Sequence, residues 1–181
     1  MKKKGLMFWI GIWILTPGTF LISILVLAMI IPTIGQKVFG LLPGRNSLRE
    51  TFREAFRLRG LNPDWIDAIT YVESHWNHKA INKTGGDAVR GGSYGASQMS
   101  WKTLVSIGYK GTIEEFLANP ETQAYWSGVY MSQGNPQTFE DAITWWNAGK
   151  RSFASLPANH MTRTNYYPKA KKALDTIKTV A

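Results

Sequence analysis

The chain has 181 residues, 44% of them apolar and 13% aromatic, which suits one packed domain with an appended segment and excludes a disordered, charge-dominated chain. It has no cysteine, so disulfide scaffolds, thiolate zinc sites and cysteine nucleophiles are excluded, and three histidines are a poor basis for a histidine-rich metal centre. The formal charge of +9 attracts polyanions in general, whether nucleic acid, anionic lipid or wall polymer, without choosing among them.

The first predicted element is a membrane anchor. Between Lys4 and Lys37 lie 32 residues with no charged side chain. A bilayer core takes about 20 apolar residues of helix, so the run crosses once and is too short for two passes. Pro17-Gly18 divides it and leaves two geometries open: one kinked helix over about residues 6–31, or an interfacial piece over 8–15 followed by a shorter crossing. The competing reading is a cleaved signal peptide, whose apolar core is about 7–15 residues long with a small-x-small cleavage site. Here the run is far longer, and Leu27-Ala28-Met29 offers no Ala-x-Ala. The lysine cluster Lys2-Lys3-Lys4 should stay cytoplasmic, which makes this a single-pass protein with everything after residue 36 on the far side of the membrane.

Residues 37–46, rich in Gly, Pro and basic groups, predict a juxtamembrane linker, and residues 47–181 a mostly α-helical domain. Ser47 followed by Glu50 predicts a capped helix start, with Leu48, Phe52, Ala55 and Phe56 on one face and Arg49, Arg53 and Arg57 on another. That arginine row is either a solvated face or a contact for anionic headgroups beside the anchor. Asn62-Pro63-Asp64 starts a second helix running to about Ser74. Residues 77–97, rich in Gly and Asn, predict a loop, and 99–106 a short helix. Asn119-Pro120 starts a further helix that Gly134 ends, and Thr138 starts another that Gly149 ends. Residues 167–178 predict a final basic helix.

On the helix from Pro63, Ile66, Ile69, Thr70 and Glu73 share one face. A carboxyl group at the end of an apolar stripe is partly desolvated, which disfavours its charged form and suits a general acid at neutral pH. A helix-end glutamate paired with a nearby cation would look the same in sequence.

The surroundings of Glu73 favour the acid. Glu73-Ser74-His75-Trp76-Asn77 precedes a glycine-rich loop and Tyr94-Gly95-Ala96-Ser97-Gln98-Met99. Gly128-Val129-Tyr130-Met131, Trp145-Trp146-Asn147-Ala148-Gly149 and Asn165-Tyr166-Tyr167 follow in order. Over about residues 60–172 this series resembles the soluble lytic transglycosylase (SLT) domain of the lysozyme-like superfamily, whose pattern runs E-S-x-[FW]-[ND], G-L-M-Q, G-x-x-Y-L, [AY]-[YW]-N-A-G and a late Tyr. The resemblance implies a lysozyme-like, goose-type/SLT helical fold and cleavage of peptidoglycan glycan strands. By position, Glu73 matches the catalytic acid, Ser74 the serine that orients it and Gln98 the groove glutamine. Tyr130 matches the groove tyrosine, Asn147 the asparagine of N-A-G and Tyr166 the late tyrosine. Trp146 stands where the family usually has tyrosine. Departures are Ala96-Ser97 for Leu-Met, Ser100 for a common methionine, and 25 positions between Glu73 and Gln98, an expanded loop.

The resemblance implies a reaction without metal or cofactor, in which one glutamate serves as acid and then base and leaves 1,6-anhydro ends. A water-using muramidase is the alternative within the same chemistry, with Asp87 the nearest downstream second acid, although Asp87 beside Gly85-Gly86 also suits a plain turn. A non-catalytic wall-binding or assembly module is the alternative outside it. Scattered basic residues without a nucleic-acid motif argue against a DNA-binding role. The partners expected are glycan strands and the membrane, within a secretion or conjugation apparatus or the infection device of a phage virion. Of the six tryptophans after residue 36, Trp146 is expected in the groove with Tyr130, and Trp65 and Trp126 in the core. His75, His78 and His160 show no ligand spacing.

Overall fold

A computed structural model describes residues 47–83 and 91–180. The predicted anchor (1–36), the linker (37–46) and Asp87 lie outside the described residues. Among the described residues no helix is long and apolar enough to cross a membrane.

The described chain is mostly helical. Helix α1 (Leu48–Arg57) is capped by Ser47, whose hydroxyl accepts from the Glu50 N–H, and buries Phe52, Ala55 and Phe56. Helix α2 (Pro63–Ser74) starts at the Asn62 cap with Pro63 in its first turn, where a missing N–H costs nothing. The segment predicted as a featureless loop holds a small antiparallel sheet in the order β1 (Ile81–Asn82), β2 (Ser93–Tyr94), β3 (Met99–Ser100). Strands of two residues carry no readable alternation, so no periodic signal announces them. Helix α3 (Trp101–Ser106) therefore begins two residues later than predicted, capped by Ser100. Helix α4 (Ile113–Ala118) opens on a full capping box between Thr112 and Glu115.

Helix α5 (Pro120–Gly134) and helix α6 (Phe139–Ala148) have the predicted bounds. The residue that turns the chain out of α5 is Asn135, in the left-handed region at φ 47°. Gly134 serves a different purpose, since a Cβ there would lie 2.4 Å from Cγ of Trp145. A 3₁₀ turn (Phe153–Ser155) and a π-helical turn (Thr162–Tyr166) lead into α7 (Tyr167–Val180).

Helix α5 is the axis of the core: α1 lies against it on one side, α4 and α6 on others, while α7 covers α2. Its nearly all-round burial is why it shows no apolar stripe. Trp126 is buried and meets Tyr109 edge-on, and Tyr109 in turn meets Trp101 and Phe116. Trp65 is half-buried against the same core.

The arginine row of α1 is occupied from within the domain. Asp67 is fully buried and accepts from Arg49 at 2.7 Å and Arg53 at 2.5 Å; Arg53 also reaches Asp64 at 2.9 Å. Arg57 pairs with Glu50 and with Glu54. Breaking the Asp67 pairs would leave a buried charge alone, so Arg49 and Arg53 are tied to α2 as struts between the two helices, while Arg57 is held within α1.

Candidate active site

Glu73 occupies the last turn of α2, continuing the stripe of Ile66, Ile69 and Thr70, all three fully buried. The helix stops two residues later, where His75 and Trp76 take left-handed backbone at φ 51° and 66°. Trp76 then packs edge-on against Phe52, which fixes the exit of the chain. The Glu73 carboxyl is therefore held at a helix end, with apolar core on one side and a cleft on the other.

Two donors meet that carboxyl. The Tyr166 hydroxyl donates to Oε1 at 2.5 Å, and the Trp146 side chain also hydrogen-bonds to it. Desolvation pushes the Glu73 pKa up to about 7, and the two hydrogen bonds oppose the rise by favouring the carboxylate. A group at that value is present in both protonation states near neutrality, as a residue that gives and then retrieves a proton requires. Tyr166 is held protonated, its own pKa raised well above the usual range by burial and by the neighbouring Glu73.

Tyr166 reaches Glu73 through the π-helical turn. Such turns carry one more residue per hydrogen-bonded ring than an α-helix and re-aim the side chains after them. Thr162 anchors the turn: it is fully buried, and its hydroxyl donates to Asn147 Oδ1 at 2.7 Å. Asn147 thus links α6 to the element that supplies Tyr166, besides lining the cleft itself.

The cleft beside Glu73 has a volume of about 450 Å³. Tyr130 and Trp146 give it aromatic surface, Ser93, Ser100 and Thr103 give it hydroxyls, and Met161, 63% exposed, lies along it. Tyr130 and Trp145 lock each other: the Tyr130 hydroxyl donates to the Trp145 carbonyl at 3.1 Å, the Trp145 indole donates to the Tyr130 carbonyl at 2.8 Å, and the rings stack. Trp146 meets Tyr130 edge-on at 5.4 Å. Aromatic faces of this kind suit the apolar faces of sugar rings, and hydroxyls suit their edges.

Gln98 lines the same cleft from a left-handed backbone, φ 51°. Its amide donates to the Gly95 and Ala80 carbonyls at 2.9 and 3.2 Å, which leaves its carbonyl oxygen as an acceptor. Ser74 takes a different role from the one its position implies: its hydroxyl donates to the Ala96 carbonyl at 2.6 Å, joining the end of α2 to the 95–98 turn. Ala96 and Ser97, the departures from Leu and Met, are buried, and Ser97 shares a hydrogen bond with Ser127 of α5. Ser100, the third departure, is the cap of α3. Each substitution therefore has a local structural reason.

The structure gathers Glu73, Gln98, Tyr130, Trp146, Asn147 and Tyr166 in one place and turns Ser74 to support. It adds Gln123, which the sequence did not single out. Gln123 is fully buried in α5; its Oε1 accepts from the Ala96 N–H, and its Nε2 donates to the carbonyls of His78 and Phe116. A Cβ on Gly95 would lie 2.4 Å from that Oε1, so glycine at this position lets the turn close over the amide. A polar residue in the middle of a buried helix was the available signal. Met161, Ser93 and Thr103 carried none. Among the described residues, no cluster of three or more His, Asp or Glu side chains could hold a metal, and Glu73 is the one carboxylate lining the cleft.

No family model, no curated protein and no solved structure matches this chain.

Proposed function

We propose that this protein is a membrane-anchored lytic transglycosylase with a lysozyme-like helical domain, cleaving the β-1,4 bond between N-acetylmuramic acid and N-acetylglucosamine in peptidoglycan. The observation that carries the reading is the Glu73 carboxyl, poised near neutral pKa beside an aromatic and hydroxyl-lined cleft. The ordered motif series around Glu73, Gln98, Tyr130, Asn147 and Tyr166 supports it from the sequence. Residues 1–36 would hold the domain at the membrane, with the lysines cytoplasmic and the domain outside.

In the proposed reaction Glu73 gives its proton to the bridging oxygen as the bond from C1 of the muramic acid breaks. The substrate's own 2-acetamido oxygen stabilises the positive anomeric carbon. Glu73, now a carboxylate held by the Tyr166 and Trp146 donors, takes the proton from the C6 hydroxyl as O6 bonds to C1. A 1,6-anhydro ring forms, no water is consumed, and Glu73 ends protonated as it began. Most glycosidases divide these roles between two carboxyl groups.

Digestion of purified peptidoglycan by the full chain, with mass analysis of the fragments, tests this. Anhydro ends one water lighter than hydrolysed ends are expected, with Glu73→Gln lowering the rate at least a hundredfold, the scale of lost general acid catalysis. Hydrolysed ends would make it a muramidase. Undiminished digestion by Glu73→Gln would remove the site assignment.

A further inference from the structure

Contact with anionic headgroups was one of two readings of the α1 arginine row, and carboxylates already hold those arginines. The exposed lysines of α7 differ. Lys169, Lys172 and Lys178 form no ion pair among the described residues, whereas Lys171 is paired with Asp175. Lys169 and Lys172 border a groove of about 490 Å³ between α2 and α7, whose apolar part comes from Tyr71, Val72 and Ile177 and whose lining holds no carboxylate. Tyr71 stands 47% exposed there.

The position of the groove in the chain gives it an occupant. Ile177 also lines the neighbouring depression formed by Ser47, Arg49, Asp64 and Lys178. Ser47 is where residues 1–46, with their 32-residue uncharged run, join the domain. The ten linker residues 37–46 span at most about 35 Å when fully extended. An uncharged run long enough to span a bilayer therefore joins the domain beside a face that combines free lysines with an exposed aromatic ring. Lysine stems lie along apolar surface with the ammonium in the headgroups, and tyrosine is enriched at that depth.

We infer that the α2–α7 face around Tyr71, Lys169 and Lys172 rests on an anionic lipid surface, a second membrane contact beside the anchor. The inference rests on the anchored reading proposed above. It sets the orientation of the domain on the bilayer, since the α7 face would be turned toward lipid whenever the lysines are engaged. Each lysine near an anionic leaflet strengthens attachment by about fivefold.

The absence of native cysteine makes the test direct. The full chain carrying Thr176→Cys with an environment-sensitive fluorophore is reconstituted into phosphatidylcholine vesicles with or without phosphatidylglycerol. Thr176 is exposed and lines the groove, and Val105→Cys on α3 is the control. With phosphatidylglycerol the label at 176 is expected to become apolar and shielded from iodide, while the label at 105 stays aqueous. Adding Lys169→Gln and Lys172→Gln should shift the docked-to-free ratio of label 176 by about fivefold per lysine. A label at 176 that stays aqueous in a chain resisting carbonate extraction overturns the docking and spares the anchor. Release of the chain by carbonate overturns the anchor and this inference together. Shielding that persists in phosphatidylcholine alone overturns the lipid assignment in favour of a protein segment.

Discussion

Tyr166 and Glu73 stand 93 positions apart in the chain and meet through a 2.5 Å hydrogen bond, the hydroxyl donating to the carboxyl oxygen. A donor of this kind favours the charged carboxylate, while burial favours the neutral acid, and burial dominates. The balance leaves Glu73 able to change protonation state near pH 7, and it is adjustable from either side.

Glycan cleavage that needs protonated Glu73 should decline as pH rises through about 7, seen as the descending limb of kcat/KM against pH. Tyr166→Phe removes the larger of the two hydrogen bonds that lower the Glu73 pKa, so the limb should move to higher pH. Trp146→Phe should move it the same way by less. A limb that stays in place in both variants belongs to another group.

Folding stability carries the same titration. The folded pKa of Glu73 lies above its unfolded value, so between about 4.5 and 7 the folded state keeps a proton that the unfolded state has released. Its contribution is most favourable below the unfolded pKa and is lost as pH rises through the folded one. Glu73→Gln, neutral throughout, should match wild type near pH 4.5 and exceed it at pH 8 by about 1–3 kcal/mol in urea denaturation. Equal differences at the two pH values would mean that Glu73 is not the titrating group.

Gln123 satisfies one N–H and two carbonyls from three separate segments. Gln123→Leu leaves them without that partner and should cost about 2–4 kcal/mol, read from the denaturation midpoint. Because one of the segments is the turn that carries Gln98, turnover at saturating glycan should fall as well in the fraction that remains folded. A loss below 0.5 kcal/mol, roughly the scale of an ordinary surface change, would show the amide to be dispensable.

Gln98 holds a left-handed backbone that costs a residue with a Cβ about 1–3 kcal/mol, partly offset by its two amide hydrogen bonds. Gln98→Gly relieves the strain and gives up the bonds, so stability should change by no more than about 1 kcal/mol. Activity should drop about tenfold, because the carbonyl acceptor in the cleft is gone. Full activity in the glycine variant would mean that Gln98 does not touch substrate.

Much of the scaffold was legible because its information is local. Ser47, Asn62, Asn119 and Thr138 cap helices as their side chains predict, and Pro63 and Pro120 stand where a helix start tolerates them. The π-helical turn had no such local sign, since nothing in Thr162–Tyr166 differs in composition from an ordinary helix. The same holds for Arg49 and Arg53: the sequence shows their spacing, but the carboxylates that hold them, Asp64 and Asp67, arrive from another helix.

The sequence by itself determined where α1, α2, α5 and α6 begin and the apolar stripe that ends in Glu73. These follow from caps and periodicity, which act within a few residues of chain. Only the tertiary structure decided that Tyr166 and Trp146 donate to that carboxyl, that Ser74 ties down a turn and that Gln123 closes the loop above it. Those contacts join segments distant in the chain, and they depend on how α2, α5, α6 and α7 pack. Hydrogen bonds of this length demand placement within a few tenths of an ångström, which packing fixes and spacing does not encode.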